Sequence, residues 1–384
     1  MAQPVPIKIK AKNPNIGEKT FNTLLVDGSS ILETCWAKAK KYNSEGRDIG
    51  AIFAFLLQLK ILLQKGNFRY VYVFWDGEQS GQLRYNLYSE YKANRDKTYT
   101  DENLSDYMKK FNEKVRQIEN YIYNKNKKKT TKTESEKENF HWQRSIIIDC
   151  LEELFIRQCL CEQTEADDFI GYYVSHKKPN ERIVICSNDR DLTQLISSDV
   201  IVYVQSFKDF VNTRNHTEKC GFYYENVVLK KMICGDASDN IKGIKGVGET
   251  TLFNNFPQFK TRKVTLEEVI EGAKKINEDR KLNKKPPLKW AQNIVDRVTE
   301  GAQGEKIYEI NHKIIDLKHP LMTQEAIDLI DGLMYAPLDP DDRSFENLYR
   351  ILIDNNIDEL RDETKFSNFF VEFRFLIDKE KRNI

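Results

Sequence analysis

Several residue types are scarce or scattered in this chain of 384 residues, and each scarcity excludes a class of protein. The seven cysteines include no Cys-x-x-Cys pair, which argues against a disulfide framework and against a thiolate zinc site. The five histidines are scattered, and none is assigned a catalytic role. The longest apolar run, Ala51–Leu57, is far shorter than the roughly 20 residues of a membrane helix. The N-terminus has no apolar signal core, so these absences predict a cytoplasmic protein with reduced thiols.

An excess of charge of one sign is also absent from the chain as a whole. Sixty basic residues stand against 59 acidic ones, for a net charge of +1, so the total does not indicate a nucleic-acid partner. The distribution is less even. Lys125–Lys132 holds five lysines and no acid, and Lys260–Lys289 holds ten basic residues against five acidic ones. Any nucleic-acid interface must therefore be a local feature.

Four short apolar segments predict buried strands, and helical patterns separate them. This order favours an α/β fold with a largely parallel sheet, in which ligands bind at the carboxyl ends of the strands. Three of the segments are followed by Asp27, Asp76 and Asp189, which predicts a shared site at that edge. The predicted strands are Thr23–Asp27, Tyr70–Trp75, Arg182–Cys186 and Val200–Val204.

Carboxylates recur at this predicted edge. Each acidic cluster taken alone could be a helix cap or a solvated turn. Together, so many carboxylates would raise one another's pKa values and destabilise the fold unless cations neutralise them. Oxygen ligands without histidine or cysteine select Mg²⁺ or Mn²⁺, and such a site suits two-metal hydrolysis of phosphodiesters. The nine acids are Asp27, Asp76, Glu165, Asp167, Asp168, Asp189, Asp191, Asp236 and Asp239.

Aromatic and basic residues interleave after the second predicted strand. This mixture fits the end of a single-stranded or frayed nucleic acid, with an amphipathic helix bearing extended cations as the alternative. The residues are Tyr85, Tyr88 and Tyr91, with Arg84, Lys92 and Arg95 among them.

A glycine-rich run follows the last acidic cluster. Gly243, Gly246 and Gly248 give a tight turn between two predicted helices. Backbone N–H groups exposed at such a turn can hold a phosphate without reading a base sequence.

Taken in order, these motifs resemble those of the flap endonuclease and 5′-nuclease superfamily, in particular the bacteriophage 5′-exonucleases and the T-even phage ribonuclease H type. They span Leu24 to Phe256 and read LLVDGSS, VFWDG, YKANR, EADD, SNDRDLTQL and GDASDNIKGIKGVG. The resemblance implies a PIN-like, mostly parallel sheet flanked by helices, with a helical arch. It also implies a mainly α-helical C-terminal part with a helix–two-turn–helix module that binds duplex DNA, often with a potassium ion.

The resemblance divides the chain into an N-terminal arm (1–20), a nuclease core (21–224) and a helical domain (225–384). The arch would lie at about 84–145 and the helix–two-turn–helix at about 232–256. The polar composition of the arch predicts partial disorder in the absence of DNA.

The resemblance also assigns the residues to roles. Lys92 and Arg95 would contact the scissile phosphate, and Tyr91 would stack on the flipped end. The first metal cluster would be Asp27, Asp76, Glu165, Asp167 and Asp168, and the second Asp189, Asp191, Asp236 and Asp239. The glycines Gly243, Gly246 and Gly248 match the DNA-binding turn, and Lys245 could add a phosphate contact.

The function implied is that of a monomeric, Mg²⁺-dependent (or Mn²⁺-dependent), structure-selective 5′-nuclease in replication or repair. It would cut 5′ flaps and degrade 5′ ends, including RNA primers on DNA, with a sliding clamp or a single-strand binding protein as candidate partners. A PIN-type ribonuclease and a non-catalytic module that binds branched DNA are the alternatives. The motifs favour a phage origin without settling it. They leave open the preference for flaps or primers and the balance of exo- and endonuclease action.

The C-terminal sequence ETKFSNFF allows two interpretations. It approaches the sliding-clamp peptide pattern, in which a short helical turn buries aromatic anchors in a partner. It also continues as an alternation through Phe373 and Phe375 that predicts a strand packed on the core.

Overall fold

The computed structural model describes residues 21–66, 68–93, 132–298, 306–339 and 343–382. The predicted N-terminal arm, Arg95, the polylysine run and most of the predicted arch lie outside these residues. The expected disorder of the arch therefore stays a prediction. Within the described part of the chain, no helix is long and apolar enough to cross a membrane.

A six-stranded sheet in the order β3-β2-β1-β4-β5-β6 forms the centre of the fold. The first five strands along this order are parallel, and β6 pairs antiparallel at one edge. This confirms the predicted α/β class. The strands are β1 (Thr23–Asp27), β2 (Tyr70–Phe74), β3 (Arg157–Cys159), β4 (Ile183–Ser187), β5 (Val200–Val204) and β6 (Asp209–Val211), and β7 (Gly235–Asp236) pairs with β8 (Ile241–Lys242) in a separate hairpin.

Helices cover both faces of the sheet and make up most of the chain after residue 225. Those before it are α1 (Gly28–Lys38), α2 (Gly50–Leu63), α3 (Gln82–Leu87), α4 (Lys132–Glu153), α5 (Ala166–His176) and α6 (His216–Cys220). Those after it are α7 (Val227–Cys234), α8 (Glu249–Asn255), α9 (Leu266–Leu282), α10 (Lys289–Val295), α11 (Lys306–Ile315), α12 (Gln324–Leu333), α13 (Phe345–Asp354), α14 (Glu363–Phe369) and α15 (Arg374–Arg382).

Three hydrophobic cores hold these elements together. The first core lies on the face of the sheet covered by α1, α2 and α4, and residues of α13–α15 complete it. The second core lies on the opposite face, beneath α5 and α12. The third core joins α7–α11 around Phe256 and Phe259, away from the sheet. Residues from 317 onward thus share cores with the sheet, whereas the division into domains at 224 and 225 stays a prediction.

The C-terminal segment corrects one expectation and confirms another. The predicted strand is wrong, because residues 363–382 form α14, a 3₁₀ turn and α15. Phe366, Phe369, Phe370 and Phe373 recur at helical spacing, and all four are buried in the first core. The prediction that this segment packs on the core is therefore confirmed. Its aromatic anchors are covered and are not displayed to a sliding clamp.

Candidate active site

Asp27 and Asp76 lie at the carboxyl ends of neighbouring strands, as predicted. Asp27 Oδ1 accepts a hydrogen bond from the Ser30 N–H at 2.9 Å, and its Oδ2 accepts one from Ser187 Oγ at 2.7 Å. Asp76 Oδ1 accepts from the N–H of Ala166 at 2.8 Å, at the first residue of α5. These bonds fix both carboxylates at one edge of the sheet.

Gly77, next to Asp76, lies where two chain segments cross. A Cβ built on it would lie 1.6 Å from the carbonyl oxygen of Cys161, so only glycine fits there. This close crossing brings α5 and its acids against the end of β2.

The acids around the start of α5 divide between two environments. Asp167 lines the pocket with Asp27, Asp76 and Glu165. Asp168 instead points to Arg84, whose two terminal nitrogens lie 2.6 and 2.8 Å from its two carboxylate oxygens. Asp168 is fully buried, and both of its oxygens are engaged. Asp168 therefore anchors Arg84, which lines the pocket, and its place in the first metal cluster stays a prediction.

The pocket acids differ in their electrostatics. Burial, followed by the charge of Asp76, raises the pKa of Asp27 to about 7. Burial and the neighbouring carboxylates Asp189 and Asp27 also raise the pKa of Asp167. Burial by itself would also raise the pKa of Glu165. The positive charges of Lys92 and Arg84 outweigh burial and lower this pKa to about 2. Asp27 and Asp167 therefore favour the protonated, neutral form, because the described cations do not offset the burial and mutual repulsion of these carboxylates.

The second group of acids surrounds a lysine that the sequence did not reveal. Asp191, Asp236 and Asp239 each offer a carboxylate oxygen within 4.8 Å of the others. Lys231 Nζ binds both Asp191 and Asp236. Burial by itself would raise the pKa of Asp236. The positive charge of Lys231 outweighs burial and lowers this pKa to about 2. Burial raises the pKa of Asp191 to about 6 despite Lys231.

Asp189 and Asp239 connect the two groups. Asp189 Oδ1 accepts from the Asp191 N–H at 2.7 Å, and its charge raises the pKa values of the buried Asp27 and Asp167. The backbone carbonyl of Asp239 accepts from the Lys92 N–H at 2.9 Å. Seven of the nine predicted acids thus line one pocket, Asp236 lies beside Asp191 and Asp239, and Asp168 is turned toward Arg84.

Lys92 and Tyr91 both contact Glu165. Lys92 lines the pocket with its Nζ 2.6 Å from Glu165 Oε1. Tyr91 is only 6% exposed, and its hydroxyl lies 3.2 and 3.3 Å from the two oxygens of Glu165. In this conformation Tyr91 positions Glu165, and its predicted stacking role stays a prediction.

The glycine-rich run forms the expected tight turn between α7 and α8. Gly246 has a φ of +81°, a backbone conformation that favours glycine. A Cβ on Gly243 would lie 2.3 Å from the backbone nitrogen of Gly235, so this glycine permits the close approach of two chain segments. Gly248 precedes α8, and Lys245 is exposed on the turn. The DNA-binding role of these four residues stays a prediction.

Sequence reasoning missed two cations of the site. Arg84 resembled a surface residue of a basic helix, yet it is 3% exposed and also donates from Nε to the Ile314 carbonyl at 3.0 Å. Lys231 lies five residues before Asp236 on α7, beside a second lysine, and nothing in its local pattern marks it as buried. Arg84 is identified by an acid distant in sequence, and Lys231 by the distant Asp191 together with the nearby Asp236.

Comparison with known proteins supports a common origin for the core of the chain. The family model described as the N-terminal, resolvase-like domain of 5′-3′ exonucleases matches residues 22–221. The chain is 32% identical over 254 residues to a 5′-3′ exonuclease of Mycoplasma pneumoniae, with 62% of this chain and 73% of that protein covered. A DNA polymerase I of Bacillus subtilis is 27% identical over 254 residues, but the match spans only 24% of that protein.

A solved structure shares the fold. The zinc-bound 5′-exonuclease of bacteriophage T5 superposes with a TM-score of 0.53 at 18% identity, covering 87% of this chain and 97% of that one. At this identity the likeness concerns the fold alone.

Proposed function

Because the chain belongs to the 5′-3′ exonuclease family, we propose that its carboxylate pocket hydrolyses phosphodiester bonds near the 5′ ends of branched DNA and of RNA primers on DNA. The chain is a structure-selective 5′-nuclease, with the exonuclease and flap endonuclease action of its family. The proposal concerns its metal, the roles of its residues and its substrates. The observation that carries it is the meeting of seven of the predicted carboxylates around one pocket, with Asp236 beside two of them.

Divalent metal ions fit the donors of this pocket. The raised pKa values of Asp27 and Asp167 indicate carboxylates that a bound cation would stabilise in their charged form. All the acidic donors are oxygens, which favours Mg²⁺ or Mn²⁺. One ion would lie among Asp27, Asp76, Glu165 and Asp167, and another among Asp189, Asp191, Asp236 and Asp239. When bound, such ions lower the pKa of water and neutralise charge on the phosphate.

Basic and aromatic residues of the chain would orient the substrate phosphate. Lys92 lies at the mouth of the pocket and can exchange Glu165 for a phosphate oxygen, where its charge would stabilise the transition state. Arg84 and Tyr91 would hold Glu165 in place during this exchange. Arg95 would supply a second cation from the arch.

The glycine turn would hold one duplex strand away from the cleavage point. Its backbone and Lys245 would contact phosphates without reading bases, and a potassium ion could bind there, as the family resemblance implies. Lys92 donates its backbone N–H to Asp239, which precedes this turn, so the scissile and duplex sites are connected by one short segment.

A cleavage assay on paired substrates tests the proposal. The substrates are a 5′-labelled 5′ flap, a nicked duplex and an RNA–DNA hybrid, each with Mg²⁺, with Mn²⁺ or with EDTA. A 3′ flap of the same sequence is the matched control. We expect metal-dependent products from the 5′ ends of these substrates, and no release of the 3′ flap from the control. Cleavage of single-stranded RNA alone would indicate a PIN-type ribonuclease, and binding without cleavage a non-catalytic module.

A further inference from the structure

A basic projection next to the glycine turn has no role in the chemistry described above. Helices α9 and α10 lie side by side and meet at a tip formed by residues 280–289, which we term the basic hairpin. Between Lys274 and Lys289 the chain holds seven basic and two acidic residues, a local net charge of +5. This concentration contrasts with the net charge of +1 for the whole protein.

The basic hairpin is held in a defined shape. Asn277 accepts from the Leu288 N–H at 2.7 Å and donates to the Leu288 carbonyl at 3.3 Å, which closes α9 onto the start of α10. Arg280 Nε donates to the Pro286 carbonyl at 2.7 Å. Leu288 packs against the third core. The tip is therefore not a loose, solvated run of lysines.

The ammonium groups of four lysines at the tip make no contact with the described residues that would neutralise them. Lys281, Lys284, Lys285 and Lys289 are exposed, and none of their ammonium groups has an ion-pair or hydrogen-bond partner in the part of the chain that the structure describes. By contrast, Lys230, Lys231 and Lys274 each bind a carboxylate. Four like charges held close together repel one another, so a stable fold that keeps them gains from an anionic partner.

The hairpin continues the surface of the glycine turn. A Cβ built on Gly246 would lie 3.6 Å from the Cβ of Trp290, the residue next to Lys289. Asn293 donates to the Lys245 carbonyl at 2.8 Å, and the Lys245 N–H donates to the Val298 carbonyl at 2.9 Å. Helix α10 thus runs along the turn, and the two surfaces form one unit.

We propose that the basic hairpin is a second contact for the phosphate backbone of duplex DNA, adjoining the contact made by the glycine turn. The inference rests on the proposed function, because that function places a duplex at the turn. A rigid group of lysines at this position would bind the next phosphates along the same arm without reading sequence. The enzyme would then favour substrates whose duplex arm extends past the glycine turn.

A charge-reversal variant with two stem lengths tests this proposal. The variant is Lys281→Glu with Lys285→Glu, and the matched control is Lys38→Glu with Lys365→Glu, two exposed lysines outside the unit. Binding is measured in EDTA, without cleavage, on 5′-flap stem-loops with stems of about 6 and about 20 base pairs, since the shorter stem spans only about 20 Å.

We expect the hairpin variant to bind the long stem about tenfold more weakly than the wild type, and the salt dependence of its log affinity to flatten by about 2. On the short stem it should bind like the wild type, and the control should match the wild type on both. If the hairpin variant binds both stems equally weakly, or if the control variant also binds more weakly, the effect comes from net charge and the proposal is overturned. Unchanged binding of the hairpin variant to the long stem would also overturn it.

The same proteins separate this proposal from the proposed function. If wild-type protein with Mg²⁺ cleaves the short-stem flap, the nuclease assignment stands whatever the hairpin does. If the long-stem effect appears but no substrate is cleaved, the DNA contact stands and the proposed catalysis fails.

Discussion

The two halves of the pocket solve the same electrostatic problem in different ways. Around Asp27 and Asp167, carboxylates lie close together, and a serine and a backbone donor hold Asp27 without neutralising it. Around Asp191 and Asp236, the protein supplies its own cation in Lys231. The comparison teaches that the first half depends on an external cation for its charge balance, whereas the second half is partly balanced before any ion arrives.

The largest expected effect comes from a substitution in the half of the pocket around Asp27 and Asp167, where the protein supplies no cation of its own. Asp167→Asn should lower cleavage by about 10³-fold or more, because a ligand that the metal chemistry requires is lost. DNA binding in EDTA should stay equal or strengthen, since the change removes a negative charge. Single-turnover cleavage and binding measured together check this, with the exposed Asp328→Asn as control. Substantial Mg²⁺-dependent cleavage by Asp167→Asn would refute the assignment of the first half.

The pH dependence of stability sharpens the comparison next. Asp27 has a pKa of about 7 in the folded, metal-free protein against an unfolded value of about 4, so the folded state holds a proton that the unfolded chain releases. Its contribution to the free energy of unfolding therefore falls as the pH rises from about 4 to about 7, and is constant above that. Asp27→Asn should be about 1–3 kcal/mol more stable than the wild type at pH 8 in EDTA and similar to it near pH 4.

Urea unfolding at several pH values, with and without Mg²⁺, measures this difference. Mg²⁺ should stabilise the wild type at pH 8 and should stabilise the variant less. A difference in stability between Asp27→Asn and the wild type that is the same at every pH would contradict the raised pKa.

Removing Lys231 should leave both halves of the pocket without a neutralising cation from the protein. Lys231→Met leaves Asp191 and Asp236 without their ammonium group, so a divalent ion no longer competes with it. We expect the affinity for the more weakly bound Mn²⁺ to rise about tenfold, or about 1.4 kcal/mol, in titrations followed by electron paramagnetic resonance. Lys230→Met is the control, because Lys230 pairs with the exposed Glu249. Unchanged Mn²⁺ affinity in Lys231→Met would show that the lysine does not occupy an ion's place.

The smallest effect concerns the hydroxyl of Tyr91. Tyr91→Phe keeps the ring but loses the hydrogen bond to Glu165, which should cost about 1 kcal/mol and lower kcat a few-fold with little change in KM. Tyr88→Phe is a matched control, because its hydroxyl contacts Glu90 and the Asn240 carbonyl rather than an acid of the pocket. If Tyr91→Phe retains full activity and activity falls only when the aromatic ring is removed, base stacking would explain the role of Tyr91 better than its hydrogen bond to Glu165.

The sequence predicted the acids of this site because a local rule places them. Asp27, Asp76 and Asp189 each follow an apolar strand, and parallel strands bring their carboxyl ends to one edge. The family resemblance assigned Asp168 to the first metal cluster and could not reveal its pairing with Arg84, because that partner lies 84 residues away. Lys231 was missed for the same reason, since its partner Asp191 is 40 residues distant.

The C-terminal error has a related physical cause. An alternation of apolar and polar residues predicts a strand only when a sheet edge is available to pair with it. Here the segment meets α2, where Phe53 contacts Phe369 with ring centroids 5.2 Å apart and Lys60 Nζ donates to the Asn368 carbonyl at 2.8 Å. The four buried phenylalanines recur at helical spacing and pack against that surface. Tertiary packing therefore favoured the helix over the strand that the alternation predicted.

The covering of α2 by the last helices has a consequence for biosynthesis. Strand β1 and helix α2 are made first, yet Phe366–Phe373 complete the core beside them only about 300 residues later. At translation rates of about 5–20 residues per second, that surface would wait about 15–60 s for its cover. During this interval the nascent chain would expose an apolar helix on the ribosome, which makes it a natural client for chaperones. A premature stop codon after Asp362 would leave the surface uncovered permanently, so the product should aggregate rather than accumulate as a smaller active nuclease.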